Sequence, residues 1–294
     1  MKAIILAGGS GTRLHPCTQA LCKQLLPIYD KPMIYYPLSV VMLAGLREVL
    51  LITTEADQPL FHRLLGDGAA WGLSLTYAVQ PRPEGLAQAL TIGRDFLDGG
   101  PCCLILGDNL FFGHGLSELL RRGAALRHGG LIYGYRVADP SAYGVVELDA
   151  AGRPLGIEEK PAVPRSPYAV PGLYFYGAEV CDDAATLPRG ARGEYEITDL
   201  NRRLLQRGDL AVELMGRGLA WLDTGTPQGL LEASNLVAAL QQRQGLGIAC
   251  LEEIAFHQGW IDIDAVRRRL AAMGRSPYAA HVAALLHDDL KAVA

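Results

Sequence analysis

Short apolar runs alternate with segments of helical hydrophobic spacing over the first third of the chain. The runs predict buried strands at Ala3–Ala7, Val49–Thr53, Leu73–Ala78 and Cys102–Leu106. The segments between them predict helices at Met33–Ala44, Pro59–Leu65 and Leu86–Phe96, and the first two end at Gly45 and Gly66. Such alternation is typical of a mainly parallel sheet with helices on both faces and all strand carboxyl ends along one edge.

The pattern changes after residue 130, where short strands follow one another without helices. These predicted strands are Leu131–Val137, Val145–Leu148, Leu155–Glu158 and Val170–Tyr176. A second small strand group is predicted at Leu210–Met215 and Ala220–Leu222. The predicted C-terminal helices are Leu230–Gln242, Asp262–Met273 and Pro277–Leu290. We therefore expect an α/β fold: a Rossmann-like three-layer αβα sandwich with a mostly parallel central sheet, an antiparallel extension and a helical C-terminal appendage.

Length and composition favour one large domain over two independent ones. The chain has 294 residues, of which 50% are hydrophobic, so it can bury a sizeable core without disulfides or metals. It contains no internal repeat and no linker rich in Gly and Ser. We predict one catalytic domain over residues 1–243 and a helical appendage over residues 244–294.

Charge and cysteine usage exclude several classes of partner. The formal net charge of −4 gives no general attraction to nucleic acid, and no apolar run approaches the ~20 residues of a membrane helix. The N-terminal residues read directly into a predicted strand, with no basic and apolar leader pattern ahead of it, so we expect no secretory leader. None of the six cysteines forms C-x-x-C. We expect neither a disulfide framework nor a zinc site, and a cytoplasmic location.

A loop of almost bare backbone follows the first strand and ends at Arg13. Its residues are Gly8, Gly9, Ser10, Gly11 and Thr12. Successive N–H groups of such a loop can surround an anion, and the Arg13 guanidinium suits phosphate, so the segment predicts a polyphosphate site. A tight turn with an incidental arginine is the alternative. The loop is not a dinucleotide fingerprint, because Leu14 and His15 stand where the third glycine is needed, and it is not a P-loop.

Two aspartates follow predicted strands. Asp108 comes after the strand Cys102–Leu106, and Asp223 comes directly after Ala220–Leu222. Carboxylates beside a polyphosphate are typical ligands of Mg²⁺. The alternatives are a helix N-cap for Asp108 and a turn residue for Asp223. Because the two lie far apart in the chain, their spacing cannot show that they meet.

A set of short motifs extends this pattern over nearly the whole chain. They are Leu6–Leu14, Lys23–Pro27, Asp30–Pro32, Gln80–Pro81, Gly85–Ala89, Leu106–Asn109, Tyr143–Val145, Glu158–Pro161, Gly172–Tyr176 and Trp221–Gly225. Together they resemble the sugar-nucleotide pyrophosphorylases, and among these the glucose-1-phosphate thymidylyltransferases. The resemblance implies that dTTP and glucose 1-phosphate react by Mg²⁺-dependent in-line transfer to dTDP-glucose and pyrophosphate, the first step toward dTDP-rhamnose and other dTDP-deoxysugars. It also implies a homotetramer built as a dimer of dimers, with an appendage that serves assembly or regulation.

The resemblance assigns a role to each matching residue. It implies catalytic roles for Arg13, Lys23, Asp108 and Asp223, with Asp108 and Asp223 holding the metal. It implies nucleotide binding, within residues 1–130, by Leu6, Gly8, Gly9, Ser10, Gly11, Thr12, Gln24, Gln80 and Gly85. It implies sugar-phosphate binding, within residues 131–243, by Tyr143, Gly144, Glu159, Lys160, Val170 and Tyr174.

Taken singly, most of these residues have an ordinary structural alternative: a surface lysine, a polar turn or, for Tyr174, the core. The chain also departs from the family pattern. Cys22 stands where Ser is usual, Glu84 where Asp is usual and Pro171 where Thr is usual. Two rival functions with the same chemistry stay open: a uridylyltransferase and an enzyme for another sugar 1-phosphate. The missing third glycine and the missing ribose carboxylate argue against a nicotinamide oxidoreductase, and the presence of all four implied catalytic residues argues against a non-catalytic sugar-nucleotide sensor.

Overall fold

The computed structural model describes residues 1–190 and 192–286, and its largest element is a ten-stranded sheet. The strands are β1 (Lys2–Ala7), β2 (Pro27–Ile28), β3 (Lys31–Pro32), β4 (Glu48–Thr53), β5 (Ser74–Val79), β6 (Cys102–Leu106), β7 (Asn109–Gly113), β8 (Gly130–Arg136), β9 (Gly144–Leu148), β10 (Pro154–Glu159), β11 (Tyr168–Ala169), β12 (Leu173–Tyr176), β13 (Leu210–Met215) and β14 (Leu219–Asp223). The helices are α1 (Tyr35–Leu43), α2 (Gln58–Leu65), α3 (Gln88–Ile92), α4 (Arg94–Leu97), α5 (Leu116–Ala124), α6 (Val180–Ala185), α7 (Ile197–Arg207), α8 (Pro227–Gln244), α9 (Leu251–His257), α10 (Ile263–Ala272) and α11 (Pro277–Ala284).

The sheet is parallel on one side and mixed on the other. Strands β5, β4, β1 and β6 lie side by side and parallel. Strand β12 is antiparallel to its neighbours β6 and β8, while β13 runs parallel to β8. Beyond β8, the strands β11, β9 and β10 form an antiparallel extension. The prediction of a mostly parallel sheet with an antiparallel extension is confirmed.

Alternate residues of β1 face two different cores, which gives the fold its three layers. Ala3, Ile5 and Ala7 pack in one core with residues of α1, α2 and α5. Ile4 and Leu6 pack in the other core with residues of α3, α6 and α7. Every residue of this strand after Lys2 is buried, because helices cover both faces of the parallel half.

The prediction that Leu210–Met215 and Ala220–Leu222 form a second small group of strands is wrong. Leu210–Met215 joins the main sheet beside β8, whereas β14 pairs with β7 in a separate two-stranded sheet. Strand β7 was not predicted at all, since its apolar residues Leu110–Phe112 fit several elements equally well. Its partner is distant in the chain, and hydrophobic spacing carries no information about which strands pair.

Other predicted elements differ in their boundaries. The predicted helix Leu86–Phe96 is divided into α3 and α4 at Gly93, which packs so closely that a Cβ there would lie 2.5 Å from Ile4 Cδ1. The predicted strand Val170–Tyr176 is shortened to β12, which begins at Leu173, because Pro171 has no N–H for a sheet ladder; β11 ends at Ala169, before the predicted strand begins.

Two helices, α6 and α7, were missed. The last predicted helix, Pro277–Leu290, begins as expected and is described to Ala284, but residues 287–290 lie outside the described residues, as do residues 287–294 of the predicted appendage. Among the helices of residues 1–190 and 192–286, none combines the length and apolarity needed to cross a bilayer.

The C-terminal helices are attached to the catalytic core through Glu252, which is completely buried. Its carboxylate accepts hydrogen bonds from Trp71 Nε1 at 2.8 Å, from Arg269 Nη2 at 3.0 Å and from the Tyr278 hydroxyl. A buried carboxylate is tolerated only when it is paired and hydrogen-bonded in this way. Glu252 therefore joins α9, α10 and α11 to the turn that carries Trp71.

We expect the substitution Glu252→Ala to lower the free energy of unfolding, by about 1–3 kcal/mol for each buried donor left without an acceptor. Urea unfolding monitored by tryptophan fluorescence measures this change. Glu118→Ala is the matched control, because Glu118 forms only an exposed pair with Arg122 one helical turn away. An unfolding free energy for Glu252→Ala equal to that of the control would contradict a stabilising role of this cluster.

Candidate active site

A crevice opens at the carboxyl edge of the parallel strands, and its first part is a cavity of about 360 Å³. Nine of the predicted catalytic and nucleotide-binding residues line it: Leu6, Gly9, Arg13, Lys23, Gln24, Gln80, Gly85, Asp108 and Asp223. A second cavity of about 400 Å³ is lined by all six predicted sugar-phosphate residues, Tyr143, Gly144, Glu159, Lys160, Val170 and Tyr174. The two cavities share the side chains of Arg13, Asn109, Glu159, Lys160 and Asp223, so they form one continuous crevice.

The glycine loop lies at the mouth of the first cavity. Of its members only Gly9 lines that cavity. Gly11 has φ +62°, a left-handed conformation that favours glycine. Gly8 packs so closely against Gln80 Oε1 that a Cβ at this position would force the Gln80 side chain to shift. Among the described residues, no backbone carbonyl accepts a hydrogen bond from the N–H groups of Gly9, Ser10 and Gly11, and these donors are available to an anion.

No long helix follows the loop, which distinguishes this site from the common phosphate loops. Thr12–Leu14 forms a single 3₁₀ turn. Positive charge comes instead from side chains. The Arg13 guanidinium lies over Gly225, where a Cβ would be 2.6 Å from Nη2, and Lys23 Nζ lies 3.8 Å from the position of a Cβ on Gly9.

The pairing of β7 with β14 brings the two aspartates together. In this ladder Asp223 stands opposite Asn109, the residue that follows Asp108. The next residue, Thr224, donates from its backbone N–H and its hydroxyl to the carbonyl oxygen of Asp108, at 3.0 and 2.7 Å. The predicted strand-end positions of Asp108 and Asp223 are confirmed, and the fold places both carboxylates on the first cavity.

The two carboxylates have different electrostatic surroundings. Burial works to raise the pKa of Asp108, but its ion pair with Lys23 and a 3.1 Å hydrogen bond from Asn109 Nδ2 hold the pKa below its usual range. Burial and the nearby charge of Asp108 raise the pKa of Asp223, although the Gly225 N–H donates to its Oδ1 at 2.9 Å and Arg13 lies close. Two carboxylates that repel one another on the wall of one cavity form a donor set that suits Mg²⁺.

Glu159 is the best-anchored carboxylate of the second cavity. Its Oε2 accepts from the Thr198 hydroxyl at 2.6 Å, and its Oε1 accepts from Arg192 at 3.2 Å. The neighbouring Lys160 has φ +44°, a strained backbone conformation for a residue other than glycine. Its backbone N–H donates to the Tyr143 carbonyl at 2.9 Å, which fixes the strand end that carries both charges.

Aromatic side chains close the second cavity. The Tyr143 ring meets Trp221 edge to face with centroids 5.0 Å apart, and Trp221 Nε1 donates to Asn109 Oδ1 at 2.7 Å. Tyr174 is a core residue and a cavity residue at once, because it is 3% exposed and stacks on Tyr176. Burial and the charge of Glu159 raise the pKa of Tyr174 above its usual range.

Several residues of the crevice were not assigned from the sequence. They are Leu86, Asn109, Arg192, Glu196, Ile197, Thr198 and Trp221. Three of the seven, Glu196, Ile197 and Thr198, lie at the start of α7. This helix has a signal that was overlooked: Ile197, Leu200 and Leu204 have helical spacing, and Gly208 follows as a C-cap. Asn109 has no such signal, because its role as acceptor for Trp221 depends on the pairing of β7 with β14.

One cluster away from the crevice can ligate metal. Cys250, Glu253 and His281 place a ligand atom each within 4.8 Å of one another, although no zinc site was expected from the sequence. His281 Nε2 lies 2.7 Å from Glu253 Oε2 and 3.1 Å from the Gly247 N–H. Both are hydrogen-bond distances, so His281 Nε2 already has two hydrogen-bond partners at this cluster.

Comparisons with known proteins agree with this geometry. The family model described as nucleotidyl transferase matches residues 2–239. A glucose-1-phosphate thymidylyltransferase of Xanthomonas campestris pv. campestris is 58% identical over 97% of this chain and 96% of its own length. The enzyme of the same name from Neisseria gonorrhoeae is 53% identical over 98% of this chain and 99% of its own length.

The chain is also similar to solved structures. A candidate glucose-1-phosphate thymidylyltransferase from Bacillus anthracis, in complex with sucrose, is 37% identical with a TM-score of 0.74 and covers 80% of this chain and 94% of its own. A UDP-glucose pyrophosphorylase with bound UDP-glucose is 25% identical with a TM-score of 0.72 and covers 82% of this chain and 99% of its own. Because the family model spans most of the chain and the similarity to relatives extends over nearly their whole length, the chain belongs to the nucleotidyl transferase family.

Proposed function

We propose that the chain transfers a thymidylyl group from dTTP to glucose 1-phosphate, giving dTDP-glucose and pyrophosphate. The observation that carries this proposal is the shared wall of the two cavities. Arg13, Lys160 and Asp223 face both of them, so a nucleoside triphosphate in one cavity meets a phosphorylated sugar in the other. The thymidylyltransferases that resemble this chain over nearly its full length support the choice of substrates.

The first cavity binds the nucleotide. The loop N–H groups, Arg13 and Lys23 contact the triphosphate, because their charge and donors suit phosphate oxygens. Gln24 and Gln80 read the pyrimidine edge through their amides, and Gly85 lets the backbone approach the base. The second cavity binds the sugar 1-phosphate, with Lys160 at its phosphate and Glu159 at sugar hydroxyls.

The reaction is an in-line displacement at the α-phosphorus of dTTP. A phosphate oxygen of the sugar 1-phosphate attacks, the bond to the β-phosphate oxygen breaks, and pyrophosphate leaves with the electron pair. The acceptor phosphate is already ionised, so no general base and no covalent enzyme intermediate are needed. Catalysis therefore rests on positioning and positive charge: Lys23 offsets charge at the α-phosphate, and Arg13 with the loop stabilises the departing pyrophosphate.

Asp108 and Asp223 fit a Mg²⁺ ion, and we assign it to them. The raised pKa of Asp223 beside Asp108 indicates two carboxylates that a divalent cation would stabilise. When bound, the ion neutralises charge on the phosphate oxygens. Lys23, which pairs with Asp108 in this structure, is then available to the triphosphate.

A second candidate substrate is UTP. The similarity to a UDP-glucose pyrophosphorylase favours this candidate. Thymine and uracil present the same hydrogen-bonding edge, and a pocket gains only about 1–3 kcal/mol from one methyl group. Another sugar 1-phosphate as acceptor is the other alternative, because Pro171 adjoins the sugar cavity where relatives usually carry Thr.

The wider setting is also part of the proposal. The product would be used in the synthesis of dTDP-rhamnose and related dTDP-deoxysugars. The chain would assemble as a homotetramer. Residues 244–294 would form an appendage on a catalytic domain of residues 1–243. The resemblance supports each of these assignments. A cytoplasmic location is supported by the six free thiols, five of them buried, which suit a reducing compartment.

A substrate panel tests the proposed function. Each of dTTP, UTP, dCTP, ATP and GTP is offered with glucose, galactose and N-acetylglucosamine 1-phosphates, and pyrophosphate release is followed. We expect dTTP with glucose 1-phosphate to react well, UTP to react at a rate lower by no more than about 10–200-fold, which is what one methyl group is worth, and purines to be rejected. Ready use of ATP, or no reaction with dTTP, would overturn the proposal.

A further inference from the structure

A row of hydrogen-bonded side chains lies behind Gln80, at the end of the first cavity that the proposed function gives to the base. Gln80 Nε2 donates to Gln88 Oε1 at 2.7 Å, and Gln88 Nε2 donates to Glu84 Oε2 at 3.0 Å. The other oxygen of Glu84 accepts from Arg189 at 2.6 Å. Gln80, Gln88, Glu84 and Arg189 thus form a relay that runs from the cavity wall to the surface.

The charged end of the relay fixes the orientation of every amide in it. A glutamine amide can be turned over, which exchanges its donor and acceptor. Glu84, paired with Arg189, can only accept, so Gln88 must present its NH₂ to Glu84 and its oxygen to Gln80. The backbone N–H of Glu84 also donates to Gln88 Oε1, at 3.2 Å, and independently requires the same orientation.

The orientation of the Gln88 amide in turn determines the orientation of the Gln80 amide. Because Gln88 offers it an oxygen, Gln80 must turn its NH₂ group toward Gln88. Its Oε1 lies against Gly8, the first residue of the glycine loop. Gln80 is 5% exposed and lines the first cavity, so a buried amide with one defined orientation faces the proposed base site.

The backbone keeps Glu84 in place beside Gln88. The Tyr195 N–H donates to the Glu84 carbonyl at 2.7 Å, and the Ala87 N–H donates to the Tyr195 carbonyl at 3.2 Å. Between them Gly85 has φ +111°, and a Cβ there would lie 2.5 Å from the Tyr195 oxygen. Arg189 stacks on the Tyr195 ring at 4.5 Å, so the surface end of the relay is held as well.

We propose that Gln88, held by Glu84, is a positioning residue that fixes the Gln80 amide and thereby selects thymine and uracil over cytosine. The inference rests on the proposed function, since it requires the base to lie at Gln80. Thymine and uracil present a ring N–H donor beside carbonyl acceptors, whereas cytosine presents a ring nitrogen acceptor beside an amino donor. If the Gln80 amide could turn over freely, it would pair with the edge of either kind of base. An amide held in one orientation forms good hydrogen bonds with only one of these edges.

The test measures kcat/KM for dTTP and dCTP in variants of the relay. Gln88→Met preserves the side-chain length but removes the amide oxygen and the NH₂ group. We expect its dTTP to dCTP ratio to fall about tenfold, the scale of one misplaced hydrogen bond, chiefly through loss of dTTP turnover. Glu84→Gln allows Gln88 to turn over and should shift the ratio in the same direction, but less, because the Glu84 N–H still restrains Gln88.

The double variant Glu84→Gln/Gln88→Glu provides the rescue. It exchanges the two groups, so that an acceptor oxygen again faces the Gln80 NH₂ group, now from a carboxylate in place of the Gln88 amide, and the selectivity should return toward the wild-type value. Thr91→Ala is the control, because Thr91 lies on the same helix and its hydroxyl donates only to the Gln88 backbone carbonyl.

The possible results distinguish a failure of the positioning role of Gln88 from a failure of the proposed function. An unchanged dTTP to dCTP ratio in Gln88→Met, or a parallel loss of both activities, would overturn the positioning role and leave Gln88 as a structural residue. Failure of the double variant to recover selectivity after Glu84→Gln has lost it would do the same. Absence of dTTP turnover in the wild-type protein would instead overturn the proposed function.

Discussion

Replacing either Asp108 or Asp223 by asparagine is expected to lower kcat by roughly 10³-fold, because each substitution removes one of the two carboxylates proposed to hold Mg²⁺. The fold should be preserved. Asparagine has nearly the same shape, its carbonyl oxygen can still accept the Gly225 N–H at position 223, and the backbone bonds between Thr224 and Asp108 are unaffected. Pyrophosphate release is measured over a range of Mg²⁺ concentrations, together with thermal unfolding.

The control for both aspartates is Asp264→Asn, since Asp264 is exposed and pairs only with Arg267 on the surface of α10. The control should retain wild-type turnover at every Mg²⁺ concentration. Wild-type turnover by Asp108→Asn or Asp223→Asn at low Mg²⁺ would remove the metal assignment, whereas recovery only at high Mg²⁺ would support it.

Lys23→Ala and Arg13→Ala are expected to lower kcat by about 10²–10³-fold, the effect of losing one donor that stabilises transition-state charge. Lys23 lies beside Asp108 and Gly9, and Arg13 lies beside Gly225 and Asp223. Lys23→Arg should recover only part of the activity, because a planar guanidinium does not replace a compact ammonium group in a tightly packed ion pair. Steady-state kinetics with dTTP and glucose 1-phosphate measure both parameters.

The distribution of the effect between kcat and KM decides the mechanism. A loss in kcat means that the cations act in the transition state, as proposed. If both alanine variants changed only KM, the two residues would bind ground state and transition state equally, and the electrostatic mechanism would be wrong. Arg217→Ala, in the exposed turn before β14, is the control for removal of a positive charge.

Local sequence patterns were sufficient for the parallel half of the fold. Strands β1, β4, β5 and β6 were predicted because short apolar runs separated by helical segments have few other interpretations. The same patterns failed where pairing is non-local. Strand β13 was assigned to the wrong sheet and β7 was missed, since their partners lie far away in the chain.

For the candidate site, the sequence indicated the residue types, and the resemblance grouped them. The glycine loop before Arg13 and an aspartate after a buried strand are local features that predict phosphate and metal chemistry on their own. The helix α7, which contributes Glu196, Ile197 and Thr198 to the crevice, was not recognised. The relay behind Gln80 was also beyond the sequence, because a hydrogen bond between two glutamines depends on how each side chain is turned.

Local sequence features were therefore enough to predict the alternation of strands and helices, the bare loop at the end of β1 and the position of Asp108 after β6. These depend on hydrophobic period and on the conformational freedom of glycine, which act over a few residues. Contacts between distant segments are what bring Asp223 beside Asp108, join the two cavities along one wall and hold Gln88 against Glu84. Each of these depends on the pairing and packing of segments, and such contacts form only when burial of the whole core brings distant parts of the chain together.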